Sequence, residues 1–200
     1  IIDDVVIIGG QYFPIKGFAR TANRSEFEAG IKVGPANYDN REDGFYLVQA
    51  RAEAMAECAA KHPGAMLAVV GLTSQAVEEV CRGSGASGAN YNSPEQVVLS
   101  GTAEAIGKAE ELAKAQGAKR AVKLDVAGAF HSSLMQPAAD AFKRALAKVE
   151  LKPPAFPVIS NVTGTPVGNP EEIRQLLVKQ IVSPVLWEAS MRHAIQAGAT

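Results

Sequence analysis

His131 is the residue whose type and position most readily support catalysis. It follows a strand-like stretch, residues 121–126, and precedes a long amphipathic helix pattern. An α/β enzyme can hold a general base at such a junction, above the end of its sheet, because an imidazole exchanges a proton near neutral pH. A structural histidine at the start of a helix fits the same position. The local pattern leaves both interpretations open.

The two cysteines, Cys58 and Cys81, indicate neither a metal site nor a nucleophile. Each lies within a helical pattern beside apolar neighbours, without a C-x-x-C motif. We interpret them as buried thiols and expect a reducing, cytoplasmic location. The glycine-rich segment 83–88 is interpreted as a flexible turn, because a phosphate-binding loop would join a strand to a helix and be followed by lysine.

The bulk composition excludes several classes of partner. Two hundred residues with 47% hydrophobic content can bury a substantial core. Twenty basic and 21 acidic residues leave a net charge of −1, which argues against a nucleic-acid or membrane-surface protein. No apolar run approaches the roughly 20 residues of a membrane span. The first four residues also lack the basic segment of a signal peptide.

The N-terminal 41 residues differ in composition from the remainder. A strand-like run, Val5–Ile8, is closed by two glycines, and the stretch after it shows neither a helical nor a strand period. We therefore treat residues 1–41 as an atypical N-terminal segment. Beyond it, Asp43 is a candidate N-cap for a helix that extends to Ala59 and ends before the Pro63–Gly64 pair.

Residues 66–126 show the most regular alternation of elements. The pattern predicts strands at 66–70, 89–92, 96–100 and 121–126, with helices at 73–82 and from a Thr102 cap to Gly117. Strand, helix, strand, strand, helix, strand is the split βαβ order of a ferredoxin-like unit. Such a unit forms a four-stranded sheet with both helices on one face.

The C-terminal third is predicted to be mostly helical. Apolar residues spaced by three and four predict an amphipathic helix over 135–149, ended by Pro153 and Pro154. A short strand is predicted at 156–160. Two further helices follow, one capped near Asn169, with a break between them at Pro184.

Six short motifs follow one another in a recognisable order along residues 42–200. They are LVQAR at 47–51, NYNSPEQVV at 90–98, GAKR at 117–120, AFHS at 129–132, PVISNV at 157–162 and QIVSPVLW at 180–187. In this order and spacing the chain resembles the malonyl-CoA:acyl-carrier-protein transacylases and the acyltransferase domains of polyketide synthases. The resemblance implies an α/β fold, with an α/β-hydrolase-like large domain formed by 42–65 and 127–200 and an inserted ferredoxin-like small domain at 66–126.

The resemblance also implies an activity. Members of the family use a serine to take malonyl from coenzyme A and pass it to the phosphopantetheine thiol of acyl carrier protein, in fatty acid or polyketide synthesis. Malonyl-CoA is a substrate, so no cofactor is expected, and we expect a monomer. The alternative is a catalytically incomplete module that binds acyl carrier protein or coenzyme A without turnover.

By the same resemblance, three residues acquire specific roles. His131 is the base that activates the serine. Arg51 binds the malonyl carboxylate, which suits a planar guanidinium fork that is always charged; the alternative is a solvated helix arginine. Gln180 orients the histidine ring through its backbone carbonyl, replacing the usual carboxylate of a triad; the alternative is a surface glutamine at a helix end.

Two further residues are candidates for substrate binding. The resemblance places Asn92 at the mouth of the pantetheine channel, although an asparagine before Ser-Pro is equally at home in a turn. Phe130 resembles the bulky side chain that leaves no room for an α-methyl group in malonyl-selective members. A core aromatic residue is compatible with that role.

The family's nucleophile elbow, Gly-His-Ser-x-Gly, has no counterpart in the sequence. No serine carries glycine at both −2 and +2. Ser25 is the nearest by position, but its neighbours Arg24 and Glu26 do not make an elbow. Gly10-Gln11 is only weakly similar to the family's oxyanion loop.

Overall fold

The computed structural model describes residues 5–8, 11–14, 41–154 and 157–199, the first two ranges as backbone only. Near the N-terminus, β1 (Val5–Ile8) and β2 (Gln11–Pro14) form an antiparallel hairpin. The first strand was predicted from the sequence. The second strand was not predicted, because four residues ending in proline are too short to show a period. The prediction for residues 15–40 lies outside the described residues.

Among the described residues, six α-helices and six strands follow this hairpin. Helix α1 (Arg41–Lys61) leads to β3 (Ala65–Val70), α2 (Ser74–Ser84), β4 (Ser87–Ser93), β5 (Gln96–Gly101), α3 (Ala103–Ala115) and β6 (Arg120–Lys123). A 3₁₀ turn (Ser133–Met135) then opens α4 (Gln136–Leu146), followed by β7 (Val158–Ile159), β8 (Pro166–Val167), α5 (Pro170–Gln180) and α6 (Trp187–Gln196). The order of elements predicted for residues 66–126 is the order observed.

Strands β3 to β6 form one antiparallel sheet in the order β4-β5-β3-β6. The central strand β3 is buried on both faces, which explains why its sequence is a continuous apolar run. Leu67 and Val69 pack into a core with α2 and α3, whereas Met66 and Ala68 pack on the opposite face. The centre of the sheet is therefore covered on both faces, whereas β6 at one edge is largely exposed.

A second core lies between α1 and α4. Its buried residues come mainly from the two helices and include Met55, Cys58, Phe142 and Leu146. Ile181, just after α5, completes this core. The amphipathic spacing that predicted a helix over 135–149 thus reflects a face packed on α1. The helix itself ends at Leu146, before the predicted proline stop.

Caps were predicted correctly at two helices, those that follow Thr102 and Asn169, whereas Thr73, predicted as the first residue of its helix, is the N-cap. The side chains of Thr73, Thr102 and Asn169 accept hydrogen bonds from the first turns of α2, α3 and α5. The Asp43 cap was wrong, because that residue lies inside α1. The strand predicted at 121–126 was too long: β6 ends at Lys123, although the amide of Leu124 still donates to the carbonyl of Met66.

Two buried serines offer a direct test of how well this interior is satisfied. Ser100 on β5 is fully buried, and among the described residues its hydroxyl has no hydrogen-bond partner. Ser190 on α6 is 2% exposed, but its hydroxyl donates to the carbonyl of Leu186 at 2.8 Å. The two positions differ in hydrogen bonding while both remain inaccessible to solvent.

We expect Ser100→Ala to stabilise the protein by about 1 kcal/mol, because it removes a buried hydroxyl that forms no bond. Ser190→Ala is the matched control and should destabilise it by about 1 kcal/mol, because a satisfied bond is lost. Urea denaturation of both variants measures the difference. A loss of stability in Ser100→Ala would show that its hydroxyl has a partner in solution.

Candidate active site

Close packing against α1 positions the loop that carries His131. A Cβ atom added to Gly128 would lie 2.7 Å from the Cβ atom of Ala59. Only glycine allows the loop to approach the helix this closely. Gly128 also forms an antiparallel bridge with Pro63. Together these contacts fix the loop just before the histidine.

The backbone of His131 is in the left-handed region, with φ of 57°. Among the described residues it is the one non-glycine with positive φ. Such a conformation costs roughly 1–2 kcal/mol for a residue with a Cβ atom, and it persists only where its surroundings enforce it. The side chain is buried, with 1% exposed. The chain therefore holds this imidazole inside the protein at an energetic cost.

Ser132 fixes the turn directly after His131. Its hydroxyl donates to the carbonyl of Ala129 at 2.6 Å and accepts from the amide of Leu134 at 3.3 Å. The side chain therefore caps the 3₁₀ turn. Because its hydroxyl is engaged in these two bonds, Ser132 is a structural neighbour of the histidine and is not its nucleophile.

Gln180 contacts the histidine with two different groups. Nδ1 of His131 lies 3.1 Å from the backbone carbonyl oxygen of Gln180 and 3.1 Å from its side-chain Nε2. The glutamine is 8% exposed, so the alternative of a surface residue at a helix end was wrong. The contact with the backbone carbonyl agrees with the role that the family resemblance implied, whereas the side-chain contact was not predicted.

Arg51 joins the same group from α1. Its Nη2 donates to Oε1 of Gln180 at 2.7 Å. The guanidinium is partly buried, which does not fit a solvated helix arginine. Arg51 lies on the stripe of α1 that carries Leu47, Met55 and Cys58 into the second core. An arginine within an apolar stripe was the sequence signal that this side chain faces a buried polar partner.

Phe130 packs between two cores. It contacts the α1–α4 core and also the cluster on the face of the sheet opposite α2 and α3. The structure thus gives Phe130 a packing role, directly before the histidine. That position is compatible with shaping an acyl pocket, which remains a prediction.

Asn92 is not part of the hydrogen-bonded group formed by Arg51, Gln180 and His131. It is in β4, where it precedes the turn rather than forming it, and it is half-buried. Two backbone hydrogen bonds join β4 to Val185. The amide of Tyr91 donates to the carbonyl of Val185, and the amide of Val185 donates to the carbonyl of Ala89. This bridge attaches the strand of Asn92 to the segment that follows Gln180.

The cysteines take no part in the site. Cys58 is buried and its Sγ donates to the carbonyl of Leu134 at 3.4 Å. Burial raises the pKa of the Cys81 thiol, and the charge of Glu78 raises it further. A thiol that stays protonated is a poor nucleophile.

Ser25 lies outside the described residues, so the structure does not place it relative to the imidazole. In residues 41–154 and 157–199, no three His, Cys, Asp or Glu side chains are grouped closely enough to hold a metal ion. Among the helices that the structure describes, none combines the length and apolar character needed to cross a membrane.

Comparisons with known proteins relate this geometry to one family. The acyl transferase domain family matches residues 37–200. The malonyl CoA-acyl carrier protein transacylase of Bacillus subtilis is 38% identical over 180 residues, covering 88% of this chain and 56% of the relative. The chain therefore spans little more than half the length of that curated relative.

Solved structures agree with the sequence comparison. The malonyl CoA-acyl carrier protein transacylase from Clostridium perfringens superposes with a TM-score of 0.76 at 38% identity, covering 86% of this chain and 55% of that one. A malonyl-transacylase in complex with its type II polyketide-synthase acyl carrier protein gives a TM-score of 0.73 at 36% identity, covering 76% and 51%. The likeness to these structures therefore extends to the sequence as well as to the fold.

The left-handed backbone of His131 reverses the usual order of two substitutions. We expect His131→Gly to be at least as stable as His131→Ala, with a difference of roughly 1 kcal/mol, because alanine keeps the strain that glycine relieves. Ala139→Gly, within α4, is the control and should show the ordinary loss of about 1 kcal/mol or more. Chemical denaturation of the three variants measures the order. A clear loss in His131→Gly relative to His131→Ala would contradict the assigned backbone conformation.

Proposed function

The chain belongs to the acyl transferase domain family, and on that premise we propose that it carries the base and carboxylate site of a malonyl-CoA:acyl-carrier-protein S-malonyltransferase. One observation carries the proposal: a buried imidazole and a guanidinium are held by the same glutamine side chain. Acyl transfer needs a group that moves a proton. Recognition of a malonyl group needs a cation for its free carboxylate.

His131 supplies the proton transfer. Nδ1 faces the carbonyl of Gln180, and when Nδ1 carries a proton that it donates there, Nε2 has a lone pair directed away from Gln180. Nε2 then accepts the proton of a serine hydroxyl as its oxygen attacks the malonyl thioester. The same proton passes to the departing coenzyme A sulfur. In the second half, the imidazole deprotonates the carrier-protein thiol and returns the proton to the serine oxygen.

Arg51 supplies the carboxylate site. Its guanidinium is planar and always charged, and its Nη2 donates one bond to Oε1 of Gln180. A malonyl carboxylate can bind this fork as a charge-assisted pair. Phe130, directly before the base, then limits the space at the α-carbon, and Asn92 lies along the path of the pantetheine arm. The exchange of thioester for ester requires no redox or metal cofactor.

We propose a division of the fold to match. Residues 66–126 form the ferredoxin-like small subdomain, supported by the β4-β5-β3-β6 sheet with α2 and α3 packed together on it. The ranges 42–65 and 127–200 belong to an α/β-hydrolase-like large subdomain, preceded by the atypical segment 1–41. The bridge between Pro63 and Gly128 supports this division, because an inserted unit enters and leaves its host at neighbouring points.

The partner and the cellular setting are part of the proposal. An acyl carrier protein accepts the acyl group, which is supported by the related malonyl-transacylase whose structure was solved in complex with its own carrier protein. Arg51, His131 and Gln180 come from one chain, so a monomer suffices. Two free cysteines suit a reducing cytoplasm.

A second candidate is a module that binds acyl carrier protein or coenzyme A without turnover. The absence of a Gly-x-Ser-x-Gly elbow from these 200 residues favours it. The two candidates differ in one observable. The enzyme forms a covalent seryl ester, and the module does not.

Incubation with malonyl-CoA followed by intact-mass measurement separates them. We expect the mass to increase by one malonyl group and peptide mapping to place it on a serine. His131→Asn is the matched control, since asparagine tolerates the left-handed backbone but cannot accept the proton; adduct formation should slow by about 10²–10⁴-fold. Binding of the carrier protein without formation of an adduct would contradict the enzyme proposal and favour the non-catalytic module.

Arg51→Met should discriminate between acyl groups. Methionine keeps the apolar stem and removes the fork, so we expect malonyl transfer to lose roughly 2–4 kcal/mol of transition-state stabilisation. Acetyl transfer should change little, because acetyl has no carboxylate. Rates with malonyl-CoA and acetyl-CoA measure the difference.

Arg192→Met is the control for Arg51→Met. Arg192 lies on α6 with its guanidinium exposed and paired to Glu188, so neither rate should change. Equal losses with both substrates in Arg51→Met would show that Arg51 supports the fold rather than the carboxylate.

A further inference from the structure

Nδ1 of His131 has two neighbours of opposite hydrogen-bonding character. The carbonyl oxygen and the amide Nε2 of Gln180 both lie 3.1 Å away. A carbonyl only accepts and an amide nitrogen only donates. A ring nitrogen that carries a proton can pair with the first, and one that carries a lone pair can pair with the second. Nδ1 can therefore satisfy only one of them at a time.

Arg51 determines which end of the amide faces the imidazole. Its guanidinium has donors and no acceptor, so the atom 2.7 Å from Nη2 must be the amide oxygen. The amide nitrogen is consequently turned toward Nδ1. A rotated amide would place two donor groups against each other at Arg51.

The two pairings correspond to two tautomers with different chemistry. When Nδ1–H donates to the carbonyl, Nε2 carries the lone pair and can act as a base. When the amide N–H donates to Nδ1, the proton is on Nε2 and the ring cannot take another from a nucleophile. His131 and Gln180 are 1% and 8% exposed. Bulk water therefore does not readily form a hydrogen bond with whichever Gln180 group, carbonyl or amide, is left unpaired by Nδ1.

Loss of the contact with Nδ1 costs the backbone carbonyl less than it costs the amide. It also accepts a long bond, 3.4 Å, from the amide of Ser183, whereas the amide N–H that faces Nδ1 needs an acceptor. A carboxylate bound at Arg51 would supply one beside the guanidinium. It would also compete with Oε1 of Gln180 for Nη2.

We propose that the side chain of Gln180 couples occupancy of Arg51 to the tautomer of His131. Without a ligand, Arg51 holds the amide so that its N–H favours the tautomer with the proton on Nε2. A carboxylate docked on Arg51 draws the amide away, Nδ1–H pairs with the carbonyl, and Nε2 becomes basic. Gln180 is then a positioning residue that prepares the base when a carboxylate-bearing acyl group is present. The identity of that ligand rests on the proposed function, but the amide–imidazole coupling does not.

The ligand-free protein tests the coupling alone. Long-range proton–nitrogen NMR of ¹⁵N-histidine-labelled protein reports the tautomer of each ring, and His62→Gln and His193→Gln assign the three histidines. Gln180→Leu keeps the carbonyl and removes the amide, so we expect the ratio of the Nδ1–H to the Nε2–H tautomer to rise about three- to tenfold, the equivalent of one net hydrogen bond. An unchanged ratio overturns the proposal.

Two further variants guard against a trivial result. Gln180→Glu has the same length and offers only acceptors, so it should hold His131 in the Nδ1–H form if Gln180→Leu does not fold. Gln175→Leu makes the same change on the exposed face of α5, where Gln175 contacts Glu171, and should leave the ratio as it is. A shift in Gln175→Leu equal to that in Gln180→Leu also overturns the proposal.

The ligand arm uses malonamate, which has one carboxylate, and acetamide, which has none. Malonamate should raise the ratio of the Nδ1–H to the Nε2–H tautomer about three- to tenfold in the native protein. It should not change this ratio in Gln180→Leu, and acetamide should change it in neither protein. Guanidinium signals of Arg51 report binding separately. Binding at Arg51 with no change of tautomer overturns the coupling, whereas no binding overturns the carboxylate trigger and the proposed substrate site while the ligand-free result stands.

Discussion

The buried hydrogen-bonded chain from Arg51 through Gln180 to His131 is the contact on which the site depends. It joins α1, the end of α5 and the loop before α4, which are far apart in sequence. Removing the glutamine side chain would take one acceptor from the partly buried guanidinium and leave Nδ1 of the imidazole with the backbone carbonyl alone. A hydrogen bond to a charged group contributes about 1.5–3 kcal/mol, so the glutamine side chain stabilises the relative positions of the three elements.

The α1–α4 core holds these three hydrogen-bonded side chains in place. The α1–α4 core brings Arg51 and His131 to the same side of the structure, and Ile181 anchors the end of α5 in that core. The left-handed backbone of His131 is unfavourable on its own. Packing around it outweighs the cost, as is usual where backbone strain serves a site.

The sheet unit is attached to this framework at two places. The Pro63–Gly128 bridge joins the points where the chain enters and leaves the unit. On the far edge of the sheet, backbone bonds from β4 to Val185 tie it to the segment after Gln180. These bonds connect the sheet to the segment that carries Gln180, which contacts both the guanidinium and the imidazole.

The sequence determined the features that depend on neighbouring residues. Capping by Thr102 and Asn169 was predicted, because a helix cap involves groups two or three residues apart. The apolar run of β3 and the alternation of elements over 66–126 were predictable for the same reason. The hairpin strand β2 and the end of β6 at Lys123 were missed, since short strands carry little periodic signal.

Only the tertiary structure decided what lies opposite each site residue. The sequence placed Arg51 on a helix and Gln180 at a helix end, but periodicity does not say which side chains meet across 129 positions of chain. The positive φ of His131 and the orientation of the Gln180 amide follow from packing and from Arg51, not from local propensity. Their physical reason is long-range: a buried polar group adopts whichever geometry its distant partners satisfy.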